Sequence, residues 1–263
     1  MIGAIIGDIV GSRFEFRNRL SKEFDFMPSD KCKFTDDTVM TCAVAQAILD
    51  CNGNYDDLSD KAIYELRAIG QKYPNCGYGQ KFVQWMFSEN PKPYNSMGNG
   101  AAMRISPVGF VASSLAEVKE LSNKVTNISH NHPEGIKGAE ATAVAIFLAR
   151  EGKTKDEIKA YIEADYYPLN NNIDQIRAEN YYNELCDPCV PQAISCFLEG
   201  NDFEDTIRNC ISIGGDSDTI AAIAGGIAEA YFGIPEEIIK QAESFLDDKL
   251  LSIYREFQKN FII

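Results

Sequence analysis

The spacing of apolar residues constrains the fold of this chain most strongly, because they recur every three to four positions along most of its length. Within residues 35–50, one helical face collects Val39, Met40, Ala43, Val44, Ala47 and Ile48. Few windows alternate with period two, and no Asn-Gly turn joins two β-branched runs. The pattern therefore predicts an all-α protein of roughly ten or more helices.

The same periodicity predicts individual helices and the loops between them. Helices are expected over residues 35–50, 135–150, 190–199, 203–212, 218–232 and 236–247. Two capping boxes, Ser114–Glu117 and Thr154–Glu157, predict further helix starts. Residues 91–100 and 165–188 are interpreted as long loops, the second facing a substrate because it is rich in tyrosine and asparagine. No linker or repeat divides the chain, so residues 1–263 are expected to form one domain.

Composition excludes some classes of partner. The 263 residues carry 25 Lys and Arg against 39 Asp and Glu, a formal charge of −14. Such a field repels phosphate backbones, so we expect no duplex nucleic acid as a partner. The apolar start, "MIGAIIGDIVGSRFE", lacks a basic leading region and is interrupted by Asp8. We expect neither a signal peptide nor a membrane span there, and hence a cytoplasmic protein.

The eight cysteines do not indicate a disulfide framework, because several lie inside apolar periodic segments in the manner of buried free thiols. Only Cys186-Asp-Pro-Cys189 has the spacing of metal ligands. No second Cys-x-x-Cys or His-x-x-x-His completes a zinc site, so a loop is the preferred interpretation of this segment.

Two stretches share one plan, in which acids and threonines precede a helical run. They are "FTDDTVM" at residues 34–40 and "GGDSDT" at residues 214–219. Asp, Ser and Thr are favoured N-caps, and acids in a first turn stabilise the helix dipole by about 0.3–1 kcal/mol. Capping alone explains either stretch taken singly.

Capping explains the pair of stretches less well. A cap requires one side chain, whereas each stretch supplies three or four, and adjacent carboxylates repel one another unless a cation lies between them. The small residues at 221–226 allow a central, closely packed helix that opens on a shared site. If the two starts converge, they bring together Thr35, Asp36, Asp37, Asp216, Asp218 and Thr219. Hard oxygen ligands in that number suit two Mg²⁺ or Mn²⁺ ions.

Three further segments carry candidate site residues with open alternatives. Glu15 is either a further ligand over the site or a surface acid at a helix end. Gly98 and Gly100 let backbone N–H groups approach an anion, and Arg104 either pairs with that anion or ties the loop to an acid. His130 either lines a pocket, stacks on a base or caps the helix from Pro133. The sequence contains neither a Gly-x-Ser-x-Gly elbow nor a P-loop.

Taken together, these segments resemble the ADP-ribosylglycohydrolase family. The resemblance runs from Gly3 to about Gly233. It rests, in chain order, on "GAIIGDIVGSRFE", "FTDDTVM", "GNGAAMRISP", "SHNHPEGIKGA", "VPQAISCFL" and "ISIGGDSDTIAAIAGGIAEAYFG". The combination of "TDDT" with "GGDSDT" is its most specific part.

The resemblance implies a single-domain orthogonal bundle of α-helices around a binuclear Mg²⁺ or Mn²⁺ centre. The family's metal ligands match Thr35, Asp36, Asp37, Asp216, Asp218 and Thr219. Glu15 matches an acid on a movable flap. The loop that touches the diphosphate and distal ribose matches Gly98, Asn99, Gly100 and Ala101, and a histidine near the ADP-ribose matches His130.

The implied reaction is hydrolysis of the N- or O-glycosidic bond that links ADP-ribose to a protein side chain or small acceptor. A water molecule, deprotonated by Asp36, Asp218 or Glu15, would attack the anomeric carbon. Family members differ in the acceptor, and we slightly favour arginine over serine. Some lens crystallins share the fold, so the alternative is a non-catalytic member, either crystallin-like or a module that binds ADP-ribose.

Overall fold

The computed structural model describes residues 1–169, 172–179 and 182–261. Within these ranges the chain forms fifteen helices and no strand, apart from an isolated bridge between Gly98 and Leu185. The first eight are α1 Ile2–Gly11, α2 Asp36–Asp50, α3 Leu58–Gly70, α4 Gln80–Phe87, α5 Gly100–Met103, α6 Ser106–Val111, α7 Leu115–Thr126 and α8 Pro133–Arg150. The others are α9 Lys155–Asp165, α10 Ile173–Glu179, α11 Cys186–Glu199, α12 Phe203–Ile213, α13 Ser217–Phe232, α14 Glu236–Glu243 and α15 Asp248–Phe261. The all-α prediction is confirmed.

Local capping chemistry explains where two surface helices begin. The Thr154 side chain accepts a hydrogen bond from the Glu157 backbone N–H, and the Glu157 carboxylate accepts from the Thr154 N–H, which completes the predicted box at α9. At α7 only half of the predicted box forms. Ser114 accepts from the Glu117 N–H, but the Glu117 carboxylate accepts from the preceding Ser113. Both helices nevertheless start where the sequence predicts.

Helix α13 lies at the centre of the bundle and packs against α1, α8, α11 and α12. All its residues from Ser217 to Ala228 are buried, as is the whole of α1. Helices that are apolar around their full circumference have no face for solvent, so these two form the core around which amphipathic helices pack. The predicted central position of the 218–232 helix is thus confirmed.

Glycines on α1 allow it to approach α13 closely. A Cβ atom added to Gly7 would lie 2.1 Å from the Ala221 carbonyl oxygen, and one added to Gly11 would lie 2.3 Å from the Asp218 Cα. Real side chains do not approach backbone atoms so closely, so only glycine permits this packing. The contact brings the end of α1 against the first turn of α13.

The structure corrects three predicted segments. Residues 165–188 are not one long loop, because α10 forms within them and α11 already begins at Cys186. Helix α10 packs against α11 and α12, and this packing buries its Ile173 and Ile176. The Cys186–Cys189 segment is likewise a helix start rather than a loop, and both thiols donate to backbone carbonyls, Gly98 and Asn183 respectively. The helix predicted over 236–247 ends earlier, at Glu243.

No helix in the described ranges combines the length and apolar character that crossing a membrane requires.

Candidate active site

A cavity of about 480 Å³ collects side chains from both ends of the chain. One wall comes from the starts of α2 and α13, a second from the Gly98–Gly100 loop and His130, and the rim from Glu15, Phe16, Tyr182 and Glu184. Residues almost two hundred positions apart meet here, since the Thr219 hydroxyl donates to the Asp37 carboxylate over 3.4 Å. The predicted convergence of the two acidic helix starts is therefore seen in the structure.

Asp8, in the middle of α1, holds the start of α2 in place. Its carboxylate accepts hydrogen bonds from the Thr35 N–H at 2.9 Å, the Thr35 hydroxyl at 2.6 Å and the Thr38 N–H at 3.0 Å, and from the Thr38 hydroxyl. Asp8 is fully buried. A carboxylate from a neighbouring helix thus satisfies the free N–H groups that a helix start otherwise leaves unpaired.

This arrangement bears on whether the acids are caps. Neither Thr35, the N-cap of α2, nor Asp216, the N-cap of α13, makes a side-chain capping bond to its own helix. Asp218 accepts a hydrogen bond from the adjacent Thr219 N–H, at 3.0 Å. Capping therefore does not account for these acids, and their oxygens are directed toward one another.

The acids form two groups that share Asp218. Oxygens of Asp8, Asp37 and Asp218 lie within 4.8 Å of one another, and so do oxygens of Glu15, Asp216 and Asp218. One buried oxygen of Asp37, Oδ1, has no hydrogen-bond partner among the described residues. Clustered carboxylates with an unpartnered oxygen are a donor set for hard divalent cations, so the residues fit the metal ions that the sequence predicts.

Burial first, and the Asp218 charge second, raise the pKa of these groups. The pKa of Asp8 rises to about 7 and that of the half-buried Glu15 to about 8. The same two causes raise the pKa values of Asp36, Asp37 and Asp216 well above their usual range. Carboxylates that repel one another in this way are stabilised by a cation between them.

The opposite wall carries the glycine loop and a buried histidine. His130 lies beside Tyr94, with ring centroids 5.4 Å apart, and its Nε2 is directed toward the loop. A Cβ atom on Gly100 would lie only 3.4 Å from that nitrogen. Asn99 links the two walls, because its Nδ2 donates to Asp216 over 2.6 Å.

The cavity wall includes most of the predicted site residues: Glu15, Asp36, Asp37, Gly98, Asn99, Gly100, His130, Asp216, Asp218 and Thr219. Two others lie behind it. Thr35 is bonded to Asp8, and Ala101 is buried in α5. The capping role considered for His130 belongs to His132, whose Nδ1 accepts the Glu134 N–H.

Sequence reasoning did not single out Asp8, nor the rim residues Phe16, Tyr182 and Glu184. In the sequence Asp8 interrupts an apolar run, and an acid within such a run must be paired when it is buried, which is the signal that the sequence offers. Tyr182 and Glu184 lie in the segment expected to face a substrate, and both line the cavity. Arg104 does not tie the loop to an acid, since it pairs with no described acid and donates to the Ser129 hydroxyl. It lines the cavity, so its pairing with a bound anion stays a prediction.

Comparison with known proteins agrees with this architecture. The model of the ADP-ribosylglycohydrolase family matches residues 1–261, so the chain belongs to this family of glycosidic hydrolases.

Individual relatives extend over nearly the whole chain. ADP-ribosylhydrolase ARH3 of Xenopus tropicalis is 28% identical, covering 97% of this chain and 94% of its own, and the Homo sapiens protein is 27% identical, covering 99% and 93%. An ADP-ribosylarginine hydrolase, Tri1 of Pseudomonas putida, is 25% identical over 93% of this chain and 73% of its own. A solved structure described as an ADP-ribosylglycohydrolase-related protein complex superposes with a TM-score of 0.67 at 21% identity, covering 97% and 95%, which supports the fold.

Proposed function

We propose that this protein hydrolyses the glycosidic bond between ADP-ribose and a protein side chain or small acceptor, releasing ADP-ribose. One observation carries the proposal: the two clusters of acidic side chains that share Asp218 lie at one cavity with the Gly98–Gly100 loop. The acids suit a polar, oxygen-rich sugar, and the glycine loop suits a diphosphate. Family membership supports the same reaction.

The residues that would hold two Mg²⁺ or Mn²⁺ ions are those of the two acidic groups together with the side chains of the helix starts. They are Asp8, Glu15, Asp36, Asp37, Asp216, Asp218 and Thr219. Thr35 would join them through the lone pairs of its hydroxyl oxygen, because its hydroxyl hydrogen is donated to Asp8. Bound cations would supply Lewis-acid activation of water and orientation of the ribose hydroxyls. The carboxylate clusters and the unpartnered Asp37 Oδ1 support this assignment.

The chain's own carboxylates would move the protons of the reaction. A water oxygen attacks the anomeric carbon of the distal ribose and transfers a proton to Asp36, Asp218 or Glu15. The bond from that carbon to the acceptor breaks, and the acceptor leaves with the proton that the carboxylate took from the water. Negative charge around the sugar favours the oxocarbenium character of the transition state. Asn99 restrains Asp216 through its 2.6 Å hydrogen bond, so this acid keeps a fixed orientation.

The rim of the cavity supports arginine over serine as the linked residue. Glu15 and Glu184 lie there beside the aromatic rings of Phe16 and Tyr182, whose centroids are 6.4 Å apart. Carboxylates and aromatic faces together suit a planar cationic guanidinium. The Pseudomonas putida relative is described as acting on ADP-ribosylarginine.

The test follows release of free ADP-ribose from arginine-linked and serine-linked proteins, each with Mg²⁺, Mn²⁺ or EDTA. We expect metal-dependent release, faster from arginine. Asp36→Asn and Asp218→Asn should each lower the rate by about 100-fold or more, as loss of a catalytic acid or base does. Asp30→Asn, which neutralises an exposed acid, is the matched control.

Two results would contradict the proposal. The first is full activity and unchanged metal affinity in both Asp36→Asn and Asp218→Asn. The second is tight binding of ADP-ribose by the wild-type protein with no release from any linkage, which would indicate a non-catalytic member of the family. Formation of AMP would instead show cleavage of the diphosphate.

A further inference from the structure

Arg104 is a fully buried cation without an acidic partner among the described residues. Its guanidinium lies 5.5 Å from the Phe82 ring centroid, and its Nη2 donates to the Ser129 hydroxyl oxygen at 2.7 Å and, at 3.5 Å, to the Val125 carbonyl. Burying an arginine without a carboxylate is costly, and that cost points to a function for the bonds it does make.

The Ser129 hydroxyl connects this arginine to His130. Its oxygen accepts from Arg104 and lies 2.9 Å from His130 Nδ1, and it has no further side-chain partner in the described part of the chain. Arg104 only donates, so the single hydroxyl hydrogen of Ser129 is left for His130 Nδ1. A fully buried hydroxyl that did not donate would lose its hydrogen bond with water without compensation.

The direction of this bond determines the tautomer of His130. An Nδ1 that accepts carries no hydrogen, so a neutral imidazole has its hydrogen on Nε2. Burial and the nearby Arg104 charge lower the pKa of His130 well below its usual value, which keeps the ring neutral. The groups packed around the ring are Phe82, Tyr94 and the glycine loop, and none of these carries a charge. The Nε2–H is therefore a fixed donor that faces the loop.

We propose that Arg104 and Ser129 are positioning residues that hold His130 as the neutral Nε2–H tautomer, so that it donates to an oxygen of ADP-ribose bound at the Gly98–Gly100 loop. The ligand in this inference rests on the proposed function, whereas the tautomer does not. Such a relay keeps a donor facing the loop, because burial and the Arg104 charge lower the pKa of His130 and so disfavour a second proton on the ring.

The tautomer can be measured directly by long-range ¹H–¹⁵N NMR of histidine-labelled protein without ligand. The chain has only two histidines, so His132→Gln assigns the spectrum. We expect His130 to show a protonated Nε2 and an unprotonated Nδ1, unchanged between about pH 5 and 8. Calorimetry with ADP-ribose then measures affinity.

Ser129→Ala removes the hydroxyl that selects the tautomer. We expect a mixture of the two neutral tautomers and about 3- to 10-fold weaker ADP-ribose binding, the range for one neutral hydrogen bond. Ser129→Thr, which restores a hydroxyl, should recover both readouts. The matched control is Ser122→Ala, since Ser122 is also fully buried and its hydroxyl has no partner among the described residues.

A wild-type His130 protonated on Nδ1 would overturn the relay, as would a Ser129→Ala protein with unchanged tautomer and affinity. A wild-type protein with the expected tautomer that neither binds nor releases ADP-ribose would overturn the proposed function while supporting the relay.

Discussion

Replacing Asp8 separates its two roles, which are to accept hydrogen bonds from the start of α2 and to contribute a carboxylate to the group with Asp37 and Asp218. In Asp8→Ala the backbone N–H groups of Thr35 and Thr38 lose their acceptor, whereas the two threonine hydroxyls can rotate to other partners. A buried donor left unpaired costs about 1–3 kcal/mol, so the free energy of unfolding should fall by about 2–6 kcal/mol. Urea denaturation in EDTA measures this change.

Asp8→Asn should behave differently. Its carbonyl oxygen can still accept from both N–H groups, and it removes one of three mutually repelling charges in the group with Asp37 and Asp218. We expect metal-free stability close to that of wild type, but Mg²⁺ affinity lower by about tenfold or more, because one carboxylate of the set that would hold the ions is lost. Calorimetric titration with Mg²⁺ measures the affinity.

Asp30→Asn provides the control for charge, because Asp30 is exposed and lies outside the acidic groups. It should leave both stability and Mg²⁺ affinity unchanged. The reasoning is refuted if Asp8→Ala is as stable as Asp8→Asn, or if Asp8→Asn binds Mg²⁺ with wild-type affinity.

Three further predictions test the site and the helix packing around it. The pKa values of Asp8 and Glu15 are raised to about 7 and about 8, so the metal-free folded protein retains protons that the unfolded chain has released. Its stability should therefore fall as the pH rises from about 4 to about 8. The gain in melting temperature on adding Mg²⁺ should grow over the same range, and thermal melts that show a constant gain would contradict this. Gly7→Ala places a Cβ 2.1 Å from a carbonyl oxygen of α13 and should cost about 1–3 kcal/mol or more by urea denaturation, whereas Gly79→Ala, with open space, should cost little. Asn99→Asp places a second carboxylate against Asp216 and should strongly lower the rate of ADP-ribose release when the metal is limiting. A rate equal to that of wild type would count against the Asn99–Asp216 bond as an orienting contact.

The helices were predictable because their signals are local. Apolar spacing in α2 and the capping box at Thr154 depend on residues within a few positions of each other, and the sequence displays them directly. Helix α10 was not predictable in this way, because it lies in a polar stretch and depends on the burial of Ile173 and Ile176 against α11 and α12.

The site was predictable in its parts. Acids that exceed what a cap requires identified Asp36, Asp37, Asp216 and Asp218 as a pair of groups, and the structure brings them into one cavity. The orientation of each acid was not predictable, because it depends on contacts such as that of Asn99 with Asp216, 117 positions apart in the chain.

Local sequence was enough to predict the helical class, the positions of most helix starts and the two acidic stretches, since each follows from the chemistry of neighbouring residues. The folded arrangement was needed to find that Asp8 supports the start of α2 and that Arg104 reaches His130 through Ser129. These contacts depend on glycines that let α1 lie against α13 and on the packing of whole helices. Spacing along the chain carries no information about which distant side chain will satisfy a buried polar group.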